Sequence, residues 1–314
     1  MTTDRCLLFQ PLQIKEKRLR NRIVMPPMVV KRDLAGPDAR AWYGARAAGG
    51  VGLAIVEATQ VGLFGDTLRA DNLRPLVEVI HAGGALAAIQ LYPRTPGLGA
   101  SPGELKLGEI EVLVDAYRVA VGMCAAAGFD GIEPHGAHGY LLNQFFSPER
   151  NGRTDAYGAG CLEDRMRLAL RIVEAVRPAV EGAEMLLLYR HTPVGPGYGI
   201  AESLLLAKAL VAAGVDVLDL SPSSVETPGD RAEPFMSLGV PVIAVNELDR
   251  VERAVEVLRE GRAALVAVGR GLIADPEWAN KVREGRLEEI VECIYCDQCH
   301  EDLRAGVPVG CIQW

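Results

Sequence analysis

The sequence predicts a single (β/α)8 TIM barrel followed by a cysteine-rich tail, and three observations predict it. Short apolar runs alternate with helix-period segments from end to end. Several of those segments stop at a glycine just before the next apolar run, and glycine is the preferred residue past a helix C-terminus. Eight such units fit in about 250 residues, the size of this fold.

The apolar runs cover residues 22–30, 52–60, 85–92, 131–136, 184–191, 217–221, 240–246 and 263–270. They are continuous rather than alternating, as parallel strands covered on both faces are. The clearest helical segments are 109–128, 162–180, 201–214 and 248–261. A doubly wound sheet is the alternative. It is disfavoured because no G-x-G-x-x-G opens the first unit and no change of character divides the chain. The expected division is therefore a barrel over residues 1–285 and a tail over 286–314.

Composition narrows the function classes. With 314 residues, 49% of them hydrophobic, the chain can bury one large core. A net charge of -8 without a basic run argues against a nucleic-acid partner. No apolar run reaches the ~18 residues of a membrane span. The opening MTTDRCLLFQ does not resemble a secretion signal, so a cytoplasmic location is expected.

Seven cysteines are present, and four of them, Cys293, Cys296, Cys299 and Cys311, fall in the last 22 residues. Such clustering in a chain without export signals points to ligands rather than disulfides. Three thiolates at x2 intervals can wrap one face of a compact cluster, and a distant fourth can close it. Zinc more often shows two C-x-x-C pairs or added histidines, although His300 beside Cys299 keeps zinc open. The scattered Cys6, Cys124 and Cys161 read as small buried hydrophobes.

The fourth apolar run opens into GIEPHGAHGYLLNQFFSPERNGRTDAYG, residues 131–158. This block resembles the signature of the old yellow enzyme superfamily, with the bacterial 2,4-dienoyl-CoA reductases most similar by motif. The likeness extends to LFQPLQIKEKRLRNRIVMPPM near the start, GLAIVEATQV at the second run, and PVIAV and VAVGRGLIADPEW near the end. The tail resembles the iron–sulfur tail shared by those reductases and the trimethylamine dehydrogenases.

The resemblance implies FMN at the C-terminal mouth of the barrel. Pro27, Met28 and Val29 would pass beside the isoalloxazine, and Ala58 would lie along it. Gln90 would bond its pyrimidine edge, and Arg190 would sit near N1 and the C2 carbonyl. Gly269 and Arg270 would hold the phosphate, helped by backbone near Val245 and Asn246. The implied reaction reduces a double bond conjugated to a carbonyl, in an enone or an enoyl thioester. Hydride would pass from flavin N5 to the β-carbon. His135 and His138 would donate to the carbonyl oxygen, worth about 3–4 kcal/mol per good donor. Tyr140 would protonate the α-carbon, since phenols keep their proton up to about pH 10. Read from residues alone, Arg190 could equally form a salt bridge on the rim. The two histidines could also bind a metal or satisfy loop backbone. The tail implies a [4Fe–4S] cluster on its four cysteines.

Several features depart from the family. Val29 stands where a small polar or thiol residue is common, and Tyr92-Pro93-Arg94 where many members carry a histidine and a Gly-Arg pair. The loop 95–106, which roofs the substrate, looks shortened. The second and third tail cysteines are two residues apart, as in trimethylamine dehydrogenases; dienoyl-CoA reductases usually have three. Trp314 lies three residues past Cys311. The expectation drawn from this is a separate redox partner exchanging electrons through the cluster, with direct reduction by NAD(P)H as the second route. A homo-oligomer is open. The rival functions are an amine dehydrogenase or demethylase and a non-catalytic electron-transfer subunit.

Overall fold

The computed structural model describes residues 3–222 and 231–314. Near the start, β1 (Leu12–Ile14) and β2 (Lys17–Leu19) form an antiparallel hairpin. Eight parallel strands then close a barrel: β3 (Ile23–Met25), β4 (Leu53–Gln60), β5 (Leu86–Tyr92), β6 (Gly131–Gly136), β7 (Leu186–His191), β8 (Val217–Leu220), β9 (Val242–Ala244) and β10 (Leu265–Ala267). They run in chain order, and β10 pairs with both β9 and β3. This is the (β/α)8 barrel the sequence predicts.

Every predicted strand is present, but three are cut to three residues, well short of their apolar runs. β3 ends at Met25 because Pro26 and Pro27 have no N–H to give a ladder. β9 gives way to Asn246 and Glu247, whose φ values of 101° and 52° are left-handed and break the strand. β10 runs into Gly269, where the chain turns to enter a helix.

The main outer helices are α1 (Pro37–Ala48), α2 (Ala70–Ala82) and α3 (Leu107–Ala127). They continue with the short α4 (Leu141–Phe146), α5 (Leu162–Gly182), α6 (Ile200–Ala212) and α7 (Val251–Arg259). The chain finishes through α8 (Arg270–Ala274), α9 (Trp278–Glu284) and α10 (Gln298–Ala305). Pro37 supplies a preset φ at the start of α1, and Gly128 at φ 95° stops α3.

Two cores result. One lies between strands and helices and includes Ala54, Val56, Ile89 and Leu187. The other fills the barrel with Leu53, Ile55, Ala88, Leu186, Leu188, Val217 and Ile243, and Ile14 and Leu19 of the hairpin plug its base. The alternation of strand side chains produces this split. It also sends Gln90, Glu133, Arg190 and Asp219 inward, one layer above the apolar plug.

The cysteine expectation needs one correction. Cys124 is buried in α3, but Cys6 and Cys161 are exposed. Cys6 sits on a surface 3-10 turn, and Cys161 occupies the N-cap of α5, where the chain has just left solvent. No described helix is long and apolar enough to cross a membrane.

Candidate active site

At the C-terminal mouth lies a cavity of about 640 Å³, within the ~300–1,000 Å³ typical of cofactor and small-molecule sites. Its wall includes Pro27, Met28 and Val29 from the turn after β3, Ala58 from β4 and Gln90 from β5. His135, His138 and Tyr140 enter from the end of β6 and its loop, and Arg190 from β7. Val245, Asn246, Gly269 and Arg270 complete the far side. All the residues singled out for the flavin and its chemistry thus face one space.

A bulge places Ala58. Register shifts between Val56 and Thr59, so the inward alternation of Leu53 and Ile55 is not continued by Glu57. Instead the Glu57 carboxylate accepts hydrogen bonds from the backbone N–H groups of Val30 and Lys31, which ties down the turn after β3. A small side chain, Ala58, is left facing the cavity.

His135 accepts a hydrogen bond at Nδ1 from the Ala137 N–H, at 3.4 Å. Its proton therefore sits on Nε2. His138 Nε2 lies 2.9 Å from Ser221 Oγ, and Arg190 Nη2 donates to the same hydroxyl at 2.9 Å. Burial first, then the positive charge of Arg190, lowers His138 to about 3, and burial with His138 and Arg190 holds His135 well below the usual imidazole range. Both rings are neutral at physiological pH, each with a single N–H. Tyr140 is 41% exposed at the mouth. Its ring packs edge-on against His135 at 4.8 Å and Tyr92 at 4.9 Å between centroids. Tyr92 thus takes up the third-strand position beside the proposed proton donor.

The sequence reading missed a buried layer below these groups. Gln90 Nε2 donates to Glu133 Oε1 at 2.8 Å, and Arg190 Nε lies 3.5 Å from Asp219 Oδ2. It also missed Asn143, which accepts from the Gly139 N–H at 2.9 Å and donates to Tyr198 at 2.7 Å, fixing the loop that carries Tyr140. A lone acid inside an apolar run, as in VLDLS, was the available signal.

The tail folds over the mouth. Cys299, His300, Leu303 and Val309 line the same large cavity. Cys293, Cys296, Cys299 and Cys311 all line a second, small pocket beside it, with Arg270 between the two. All four are free thiols. Among the described residues, no group of three or more His, Cys, Asp or Glu is set closely enough to hold a metal ion. Arg270 is not turned wholly to the cavity. Its guanidinium lies 4.3 Å over the Tyr295 ring and 3.7 Å from Asp297, so it clasps the tail.

Comparison with known proteins then decides the family. The family model described as "NADH:flavin oxidoreductase / NADH oxidase family" matches residues 7–101 and 97–289. The chain belongs to this family. It is 37% identical over 346 residues to NADH oxidase from Thermoanaerobacter brockii, covering 92% of this chain and 52% of that protein. Among solved structures it resembles a 2-naphthoyl-CoA reductase at TM-score 0.87 and 25% identity, covering 99% of this chain and 57% of the other. It resembles histamine dehydrogenase from Rhizobium sp. 4-9 at TM-score 0.86 and 26% identity, covering 99% and 52%. The chain spans about half the length of the first curated relatives it matches. Membership of the NADH:flavin oxidoreductase family agrees with the old yellow enzyme motifs.

Proposed function

We propose that residues 1–285 form an FMN-binding barrel that reduces a C=C bond conjugated to a carbonyl, and that residues 286–314 hold a [4Fe–4S] cluster. The observation that carries the reading is the shared cavity, in which two neutral imidazoles, a tyrosine and a buried arginine converge. The residues suit a flavin on two counts. Arg190 is a buried cation on the cavity wall, held 3.5 Å from Asp219 and bonded to Ser221, where an electron-rich flavin edge would meet its charge. Gly269 opens α8 on the cavity wall, and with no side chain it leaves its backbone there accessible to a ligand. When bound, FMN supplies the two-electron reduction.

The chain's own groups would do the rest. Arg190 would face the pyrimidine edge, with Gln90 beside it. His135 would direct its Nε2–H, and His138 its own N–H, at the substrate carbonyl. Neutral donors fit this task, because they stabilise developing negative charge without surrendering a proton to it. Tyr140, at the mouth, would deliver the proton to the α-carbon. Its partial exposure allows it to be reprotonated from solvent.

The donor set of the tail fits an iron–sulfur cluster, since thiolates are its usual ligands, and the four thiols share one pocket. Electrons would arrive from NAD(P)H at the flavin or through the cluster from a redox partner. Stopped-flow mixing separates the routes: rapid flavin bleaching by NADH or NADPH alone would favour the first.

The deciding experiment compares enones and enoyl thioesters with amines as substrates of the wild type and Tyr140→Phe. The variant is expected to bind flavin normally and to lose about 10²–10⁴-fold in enone turnover. Amine oxidation with no enone reduction would move the assignment to the dehydrogenase reading, which the likeness to histamine dehydrogenase supports.

A further inference from the structure

The floor of the cavity is an acid–arginine layer that the proposed chemistry leaves unused. Strand register sets Gln90 opposite Glu133, and Arg190 opposite Asp219. Glu133 and Asp219 are both 0% exposed, and both face the same buried layer beside Arg190. Glu133 Oε1 accepts from Gln90. Glu133 Oε2 and both Asp219 oxygens find no donor among the described residues. Arg190 Nε approaches Asp219 Oδ2 at 3.5 Å without a formed hydrogen bond.

Ionised carboxylates only accept, so these three orphaned oxygens have no donor unless one of the two acids keeps its proton. The charge balance gives the same answer. With both acids ionised, one guanidinium faces two buried anions, and their repulsion is unscreened. With both neutral, Arg190 is left as an unpaired buried cation. One proton between the two acids leaves one carboxylate for one guanidinium.

We propose that Glu133 and Asp219 share a single proton, held on Glu133 and donated to the Asp219 carboxylate, and that this pair positions and balances Arg190 beneath the flavin edge. Glu133 and Asp219 are positioning residues, since they act through Arg190. Burial and then the charge of Asp219 push Glu133 well above the usual carboxyl range. Burial also raises Asp219, while Arg190 and the Glu133 hydrogen bond oppose it. The surroundings add no competing base. Below lie the apolar Ala88, Leu188 and Val217, on β5 lies the neutral Gln90, and above lie His135 and His138, both neutral. The shared proton follows from burial, the orphaned oxygens and the charge balance. Only its consequence for the flavin depends on the function proposed above.

Two readouts separate those parts. The first is infrared spectroscopy of the protein as isolated, with glutamate carboxyl groups isotopically labelled. A protonated-carboxyl C=O band that shifts with the label is expected at neutral pH, and Glu133→Gln should remove it. Absence of that band overturns the proposal, even if the variants fail to fold. The second is the midpoint potential of the bound flavin. Glu133→Gln copies the neutral acid and should leave the potential at neutral pH unchanged. Asp219→Asn frees the charge of Arg190 and should shift the oxidised-to-reduced ratio towards reduced by about tenfold, the equivalent of one pK unit. Equal shifts in both variants would overturn the proposal. A labelled band in a protein that binds no flavin would uphold the shared proton and sink the flavin reading instead.

Discussion

His191 shows how a buried neutral imidazole ties stability to pH. Ser203 Oγ donates to the Pro193 carbonyl at 2.8 Å, so the His191 Nε2–H must donate to Ser203 Oγ, 2.9 Å away. Burial lowers His191 to about 4, as it lowers His138 to about 3. The unfolded chain takes up these protons near pH ~6.5, whereas the folded chain does not. Stability is therefore complete above that pH and falls as pH drops towards 4, by about 1.4 kcal/mol per pH unit for each such histidine. Urea unfolding between pH 7 and pH 4.5 should show this slope, and His191→Asn should flatten it by one histidine's share. An unchanged slope would mean that His191 is protonated in the folded state. At this scale the place of His135, His138 and Tyr140 on the cavity wall was readable from the sequence, because they stand in the old yellow enzyme motif that follows the fourth strand. Glu133, Asp219 and Ser221 were not. Which way a single polar side chain points follows from barrel parity, and parity is known only once the strand bounds are fixed.

Among the elements, close backbone contact at the barrel seam sets what the chain tolerates. Gly49 ends α1 against the segment before α9, and it accepts a hydrogen bond from the Asn280 N–H at 2.9 Å. A Cβ on Gly49 would meet the Pro276 carbonyl oxygen at 1.8 Å, and backbone at that position cannot swing aside. Gly49→Ala should cost at least about 1–3 kcal/mol, the usual range for overpacking. Gly122 is the opposite case, an exposed glycine inside α3 with nothing within 4 Å of a built Cβ. Gly122→Ala should gain about 0.5–1 kcal/mol from helix propensity. Denaturant midpoints at constant m-value would check both signs. The strands were legible because apolar runs broken by glycine carry the parallel-barrel pattern. Their ends were less so, since Pro26 and the left-handed Asn246 act through backbone geometry rather than hydropathy. The hairpin of β1 and β2 escaped notice because its strands are three residues long and Gln13, Lys17 and Arg18 break up the apolar residues.

Across the whole molecule, the tail is part of the mouth rather than an appendage. Val309 N–H donates to the Val30 carbonyl at 3.0 Å, and the Trp314 ring lies tilted against Trp42, 5.7 Å between centroids, while its indole N–H donates to the Ala274 carbonyl at 2.9 Å. The spacing of the cysteines led to the expectation of a ligand set, but not to where the four would lie, since the tail's path over the barrel depends on long-range contacts like these. The placement makes the four cysteines unequal. Cys299 lines both the large cavity and the thiol pocket, whereas Cys296 lines only the second. If the four thiols bind a cluster, Cys296→Ser and Cys299→Ser should both reduce iron content, because either removes one of four ligands. Only Cys299→Ser should also move the flavin absorption maximum, since it alters a side chain on the cavity wall. Anaerobic purification with iron, sulfide and flavin counted, and visible spectra of both variants, would test this. Iron retained in full by both would remove the cluster from the tail. Flavin spectra displaced equally by both would mean the tail shifts as one body, and that Cys299 holds no special place between the two pockets.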